Sequence, residues 1–410
     1  MGDIRTIRLD CGMPLLVEPN AGVRSAGLSW LFQGGSASDP EGRLGLCAML
    51  HELLLRGSRS LDSRAQADAF DRLGVNRSTD ALTRHYRVAA TLVGDRLLEA
   101  LPLIVGMVRE PAFAEGSVGP VRELCLQSIE SLADDPQERC VLGAKARHHP
   151  EPINRSGYGT PEGLAAITRD DLAAHWSACA VPEGSVLAVA GAVDPDAVAQ
   201  RLNELLDGWR GRRDEPALGA TPARGYAHEA DESNQVQIVL VHDAPPEAHE
   251  DAILERTVVS VLSGGMSGRL FSEVREKRGL CYAVSCAYRA DRDRGTVTAY
   301  VGTTPDRAEE SLRVLRAELE RVHEASGRIT PEEFERAKVG MKSRLVFSGE
   351  STSARAGAMA GDWTRLGRAR TLEDVASEID AVTLDRVNDY LSRRRLGTLT
   401  IQTVGPRALG

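Results

Sequence analysis

Thr383 stands 215 positions after Thr168, and the chain around the two residues reads alike. Ile167-Thr168, then Asp170, Leu172 and Trp176, lead into the apolar stretch SVLAVAGAVD; Val382-Thr383, then Asp385, Val387 and Tyr390, lead into TLTIQTVGP. Each copy sets a threonine where a helix needs an acceptor for its first amides, an acid in the first turn, and a closing strand with glycine at its end. The same order of parts, met twice, predicts a duplicated α+β domain. At 410 residues the chain has room for two cores, on the usual scale of roughly 100–200 residues per domain. Between the copies, RGRRDEPALGATPARGYAHEADESN replaces periodic apolar residues with Gly, Pro, Ala and charge, the composition of a linker. We therefore expect a first domain over 1–209, a linker over 210–234 and a second domain over 235–410.

Local patterns fill in the first domain. IRTIRLDCGMPLLVEP (4–19) reads as strand and turn, and Gly27 to Phe32 as a strand running into Gly34-Gly35. LGLCAMLHELLL (44–55) has no breaker and stops before Gly57, so it is a helix apolar nearly all round, and it must be buried. Helices are also expected from Ser63 to Leu73, Asp95 to Val108 and Val121 to Leu132, the last ended by Asp134-Asp135-Pro136. A strand is expected from His85 to Thr91.

Composition closes off several classes of function. No apolar run approaches the ~18 residues that span a bilayer, and the first twenty residues interleave charges where a signal peptide would be apolar. A cytoplasmic protein is expected. Seven cysteines without a C-x-x-C pair argue for reduced thiols. A net charge of -9 repels a phosphate backbone, and the basic cluster Arg393 to Arg395 falls at a helix C-terminus, where cations are favoured anyway. Neither nucleic acid nor membrane is expected as a partner.

Longer motifs carry a family likeness. FQGGSASDPEGRLGLCAMLHELLLRGS (32–58), REPAF (109–113), YGTPEGLAAITRDDLAAHW (158–176), LSGGMSGRLFSEVREKRGLCYAVS (262–285) and ITPEEFERAKVGMKSRL (329–345) follow one another in a particular order. With the VTLDRV helix and its VGP strand, they resemble the pitrilysin and insulinase family of zinc peptidases, in particular its half-length bacterial members that are like the mitochondrial processing peptidase. The segment RLFSEVREKRGLCY is the most specific. The resemblance implies two homologous domains, each a mainly antiparallel sheet flanked by helices, forming half of a clam-shell chamber. It also implies zinc held by an inverted H-x-x-E-H helix and a distant glutamate, with the glutamate of the motif acting as base on metal-bound water.

This chain departs from that pattern. Aligned through Gly45 and Arg56-Gly57-Ser58, the helix places Ala48 at the first histidine, His51 at the base and Glu52 at the second histidine. The register given by Ile129 places Ser128 at the distant acid, with Gln127 beside it. Glu52 alone cannot hold zinc, because a stable site takes three protein ligands. Cys47 and His51, spaced i and i+4, could recruit Glu123 or Cys125, but they are rotated by about 100° from the stripe that the family's ligands use. A buried Cys47 and a hydrogen-bonded His51 are the simpler expectation.

In the second half, Arg275 and Tyr282 match the arginine and tyrosine that the family sets opposite its zinc. A phenol can stabilise the oxyanion of a peptide carbonyl turning tetrahedral, and a guanidinium fork can hold a substrate carbonyl or carboxylate. Taken without the resemblance, Arg275 would be read as part of a solvated charged face and Tyr282 as strand packing. GGMSG (264–268) lacks the lysine of a phosphate loop and reads as a tight turn. TDALTRHYRV (79–88) falls where the family presents a substrate-pairing edge strand.

The expectation is a zinc-free subunit, inactive alone, of a heterodimeric zinc peptidase. It would supply Arg275 and Tyr282 to a homologous half-length partner that holds the zinc, the pair acting on a peptide substrate. The competing readings are a scaffold or peptide-binding homologue without a peptidase role, and a peptidase with a relocated metal site. In isolation the chain could also pair with itself.

Overall fold

The structure is a computed structural model that describes residues 2–59 and 61–410. The chain opens with β1 (Arg5–Arg8), β2 (Pro14–Pro19), β3 (Ser25–Gln33) and α1 (Leu46–Leu54). The ribbon of β4 (Gly57–Ser58) and β5 (Leu61–Asp62) leads to α2 (Ser63–Arg72), β6 (Asn76–Ala81) and β7 (His85–Val93). Helices α3 (Leu97–Arg109), α4 (Glu115–Glu130), α5 (Pro136–His148), α6 (Pro161–Ala166) and α7 (Arg169–Cys179) precede β8 (Val186–Gly191) and α8 (Pro195–Leu205). The second half runs β9 (Gly225–Ala230), β10 (Val236–Ala244), α9 (Ala252–Ser263), a π-helical turn (Phe271–Glu276), β11 (Cys281–Ala290) and β12 (Gly295–Thr303). It ends with α10 (Ala308–Arg321), α11 (Pro331–Gly349), α12 (Thr352–Leu366), α13 (Leu372–Asp380), α14 (Leu384–Arg393) and β13 (Thr400–Gly405).

Two sheets organise these elements, with strand orders β1-β2-β8-β3-β7-β6 and β11-β12-β10-β13-β9. Setting β2, β8, β3, β7 and β6 against β9, β13, β10, β12 and β11 matches every pairing: the first pair is parallel and the other three antiparallel in both sheets. The internal echo is therefore structural. Thr168 caps α7 by accepting from Asp171 N in a capping box, and Thr383 caps α14 by accepting from Arg386 N.

Each sheet lies in one compact unit, and each unit borrows a helix from the other half of the sequence. The first unit comprises residues up to Ser131, Glu151–Gly219 and Ser348–Thr371; the second comprises Leu132–Pro150, Ala220–Phe347 and Leu372–Gly410. In the first, Ala356, Met359 and Ala360 of α12 pack on Leu16, Leu31, Val186, Ala188 and Ala190, while the main core fills the opposite face of the sheet. In the second, Cys140 and Ala144 of α5 pack on Val239, Val241 and Val404, with the main core again opposite. Covering both faces explains why β8 is buried without interruption and β3 at all but its end residues. It also means that apolar runs, and not alternation, mark the central strands.

Two sequence readings shift. The stretch 210–234 contains β9, which pairs in parallel with β13 and forms an edge of the second sheet. Its half-exposed GYAHEA lacks the apolar alternation of a buried strand, which is why it read as linker. The edge strand of the first sheet is β6 (Asn76–Ala81), three residues earlier than the segment 79–88, which spans the turn into β7. All seven cysteines are free thiols. Among the described residues no helix is long and apolar enough to cross a membrane.

Candidate functional site

In the first unit, α1 begins at Gly45, whose left-handed φ of 105° turns the chain into the helix. The Asp39 carboxylate receives the amides of Gly45 (2.8 Å) and Cys47 (2.9 Å), supplying the acceptors that the helix start lacks. Burial raises Asp39 to about 6, although those same amides pull the other way. Seven of the nine residues of α1 are buried, and Thr79 of β6 pins the helix by donating to His51 O at 2.7 Å.

The positions that would grip zinc do not converge. Ala48 is buried and has no donor atom. Cys47 is fully buried, and burial, reinforced by the charge of Asp39, pushes its thiol well above the ordinary range. The His51 Nδ1 stands 4.0 Å from Glu52 Oε1, too far for a hydrogen bond, and burial holds the imidazole below its ordinary pKa against the opposing pull of Glu52 and Asp80. On α4, burial pushes Cys125 up to about 11, with the charge of Glu52 adding to the shift. The Ser128 hydroxyl donates to Leu124 O of its own helix at 2.9 Å. Among the described residues no group of three or more His, Cys, Asp or Glu could hold a metal ion. An alanine and a serine bonded to its own helix supply no ligand, and these residues do not fit a tetrahedral zinc site.

In the second unit, Arg275 and Tyr282 flank the entry to β11. The turn from Phe271 to Glu276 closes with Lys277 N donating to Ser272 O at 3.0 Å, the i to i+5 bond of a π-helix. Gly279, at a φ of 61°, ends it by donating to Arg275 O at 2.9 Å, and Leu280 N donates to Val274 O at 3.0 Å. Cys281 then pairs with Thr303 and Ala283 with Gly302, so Tyr282 is the extra residue of a β-bulge. Its ring is 71% exposed on an edge strand, which excludes strand packing as its role.

Arg275 is exposed, with its guanidinium carbon 4.9 Å from the centre of the Phe271 ring. Its charge opposes the upward push of burial on the thiol of Cys281, the first residue of β11. Its cationic neighbours are occupied: Glu273 holds Lys277 at 2.7 Å and Arg278 at 2.8 Å. From the sequence Glu273 reads only as one of the charges around Arg275, and Phe271 is not singled out. The only signal for them is their i, i+4 spacing to Arg275 and Lys277. The glycine-rich segment 264–268 turns tightly, with Gly268 N donating to Gly265 O at 2.9 Å.

Comparison with known proteins agrees with this architecture. Residues 166–341 match the family described as Peptidase M16 inactive domain. The chain is 25% identical to an uncharacterized zinc protease of Bacillus subtilis, with 92% of each chain covered. It is 27% identical to one of Mycobacterium tuberculosis (H37Rv), with 98% of this chain and 94% of the relative covered. The crystal structure of a peptidase M16 inactive domain from Pseudomonas fluorescens superposes with a TM-score of 0.88 at 20% identity, over 99% of this chain and 98% of that one, a likeness of fold.

Proposed function

We propose that this chain, a homologue of the pitrilysin and insulinase zinc peptidases, is the zinc-free subunit of a heterodimeric metallopeptidase and lends Arg275 and Tyr282 to a partner that carries H-x-x-E-H. The observation that carries this reading is an asymmetry. The positions that the resemblance assigns to zinc ligands hold Ala48, Glu52 and Ser128, of which only Glu52 could bind a metal, whereas Tyr282 and Arg275 are exposed. In the pair, the partner's zinc would activate the attacking water. Tyr282 would donate its O–H to the oxyanion that forms on the scissile carbonyl, a bond that strengthens as charge develops. Arg275 would hold a neighbouring carbonyl or carboxylate of the peptide in the plane of its fork. Neither role consumes a proton or needs a metal in this chain.

The test is reconstitution with a half-length homologue that retains H-x-x-E-H. Tyr282→Phe should lower kcat of the purified pair by roughly 10²- to 10³-fold, the usual effect of removing an oxyanion donor, without disturbing assembly. Equal turnover in the variant pair would remove Tyr282 from the mechanism.

A further inference from the structure

Four consecutive positions, Arg275 to Arg278, hold three cations and one acid, yet they are not equivalent. Glu273 takes Lys277 through Oε1 and Arg278 through Oε2, and its backbone carbonyl accepts a further bond from Arg278 at 2.6 Å. Among the described residues no carboxylate pairs with Arg275. Its guanidinium carbon lies 4.9 Å from the centre of the half-buried ring of Phe271, one turn back, inside the roughly 6 Å over which a ring face attracts a cation. Phe271 and Arg275 stand four apart, the spacing that sets two side chains on one face of a helical turn.

We propose that Phe271 is a positioning residue for Arg275, a platform that fixes the plane of the guanidinium while leaving its N–H edge outward. This rests on the reading of Arg275 as a peptide-binding group and deepens it. A guanidinium laid against the ring would offer a ligand its edge, where all five donors lie. The group recognised is then a planar acceptor approaching in that plane, a backbone carbonyl or a carboxylate of an extended peptide. A second aromatic ring stacked from above is not the preferred ligand.

A double-mutant cycle tests this on the full-length chain, with the affinity for a fluorescein-labelled tryptic peptide of casein read by anisotropy. Arg275→Ala should weaken binding by roughly tenfold. Phe271→Leu should weaken it by about two- to fivefold, the scale of an exposed cation–π contact, while Phe271→Tyr binds as the parent does. In the Arg275→Ala background, Phe271→Leu should have no further effect. If Phe271→Leu has no effect in the parent, or costs as much in the Arg275→Ala background as in the parent, the ring acts on packing alone and the positioning role is overturned. If Arg275→Ala itself binds normally, the earlier assignment of Arg275 falls and this inference falls with it. Thermal melts of each variant, with Phe271→Tyr as the isosteric control, separate loss of fold from loss of contact.

Discussion

Single side chains decide whether a helix can bind a metal, and here the sequence was readable at that level because the flanks of α1 fix its register. Gly45 and Arg56-Gly57-Ser58 place Ala48, His51 and Glu52 without the structure. What the letters could not give was the state of the substitutes. Cys47 and Cys125 look like potential ligands in sequence, but both are buried, which raises Cys125 to about 11 and Cys47 well above its ordinary range, and no set of three donors gathers around them among the described residues. Phe271 was equally invisible, since its role depends on which neighbouring cations Glu273 captures. These points predict the metal content. The purified chain should hold no stoichiometric zinc by elemental analysis, whereas Ala48→His with His51→Glu, Glu52→His and Ser128→Glu should take up one zinc per chain. Zinc at one equivalent in the parent would overturn the account of α1.

At the scale of elements, the helix caps and the buried strands β3, β7, β8 and β13 were legible, whereas the edge strand β9 and the partners of two helices were not. Thr168 and Thr383 announced α7 and α14 through capping chemistry, which is local. Which sheet α5 or α12 covers is not local, because an apolar helix face fits any apolar sheet face of the right width. The discriminating signal for α12 is a glycine. A Cβ on Gly27 of β3 would lie 2.4 Å from Thr352 C and Ser353 N, backbone atoms at the start of α12 that cannot rotate away. Gly27→Ala should therefore destabilise the protein by roughly 1–3 kcal/mol, as overpacking against a fixed neighbour does. Gly116→Ala in α4, where a Cβ would meet nothing within 4 Å, should be neutral or stabilising by up to about 1 kcal/mol. Urea denaturation of the two variants provides the comparison. A Gly27→Ala midpoint no lower than that of Gly116→Ala would mean that α12 does not rest against β3.

For the whole molecule, the sequence supplies nine histidines but says nothing of how many are buried. Burial lowers five of them: His149, His175 and His242 to about 4, with His51 and His323 shifted in the same direction. In each, loss of hydration outweighs the nearby carboxylates and backbone acceptors where these exist. The unfolded chain would bind protons at these rings near pH 6.5, while in the folded chain His149, His175 and His242 would not until about pH 4, and His51 and His323 take theirs below the ordinary range. Unfolding thus takes up protons across that window, and stability falls as the pH drops through it. Asp39 acts in the opposite sense: its carboxyl, raised to about 6, binds a proton in the folded state first and so favours folding as the pH falls. Five rings against one carboxyl set the sign. The Tm should decrease from pH 7 to pH 5, with most of the change below pH 6.5. Because the network of His242 and His323 with Arg394 and Glu255 lies inside the second unit, that unit should melt first in acid. Scanning calorimetry at the two pH values reads both effects, and a Tm that stays level or rises toward pH 5 would show that these rings are not held neutral by the fold.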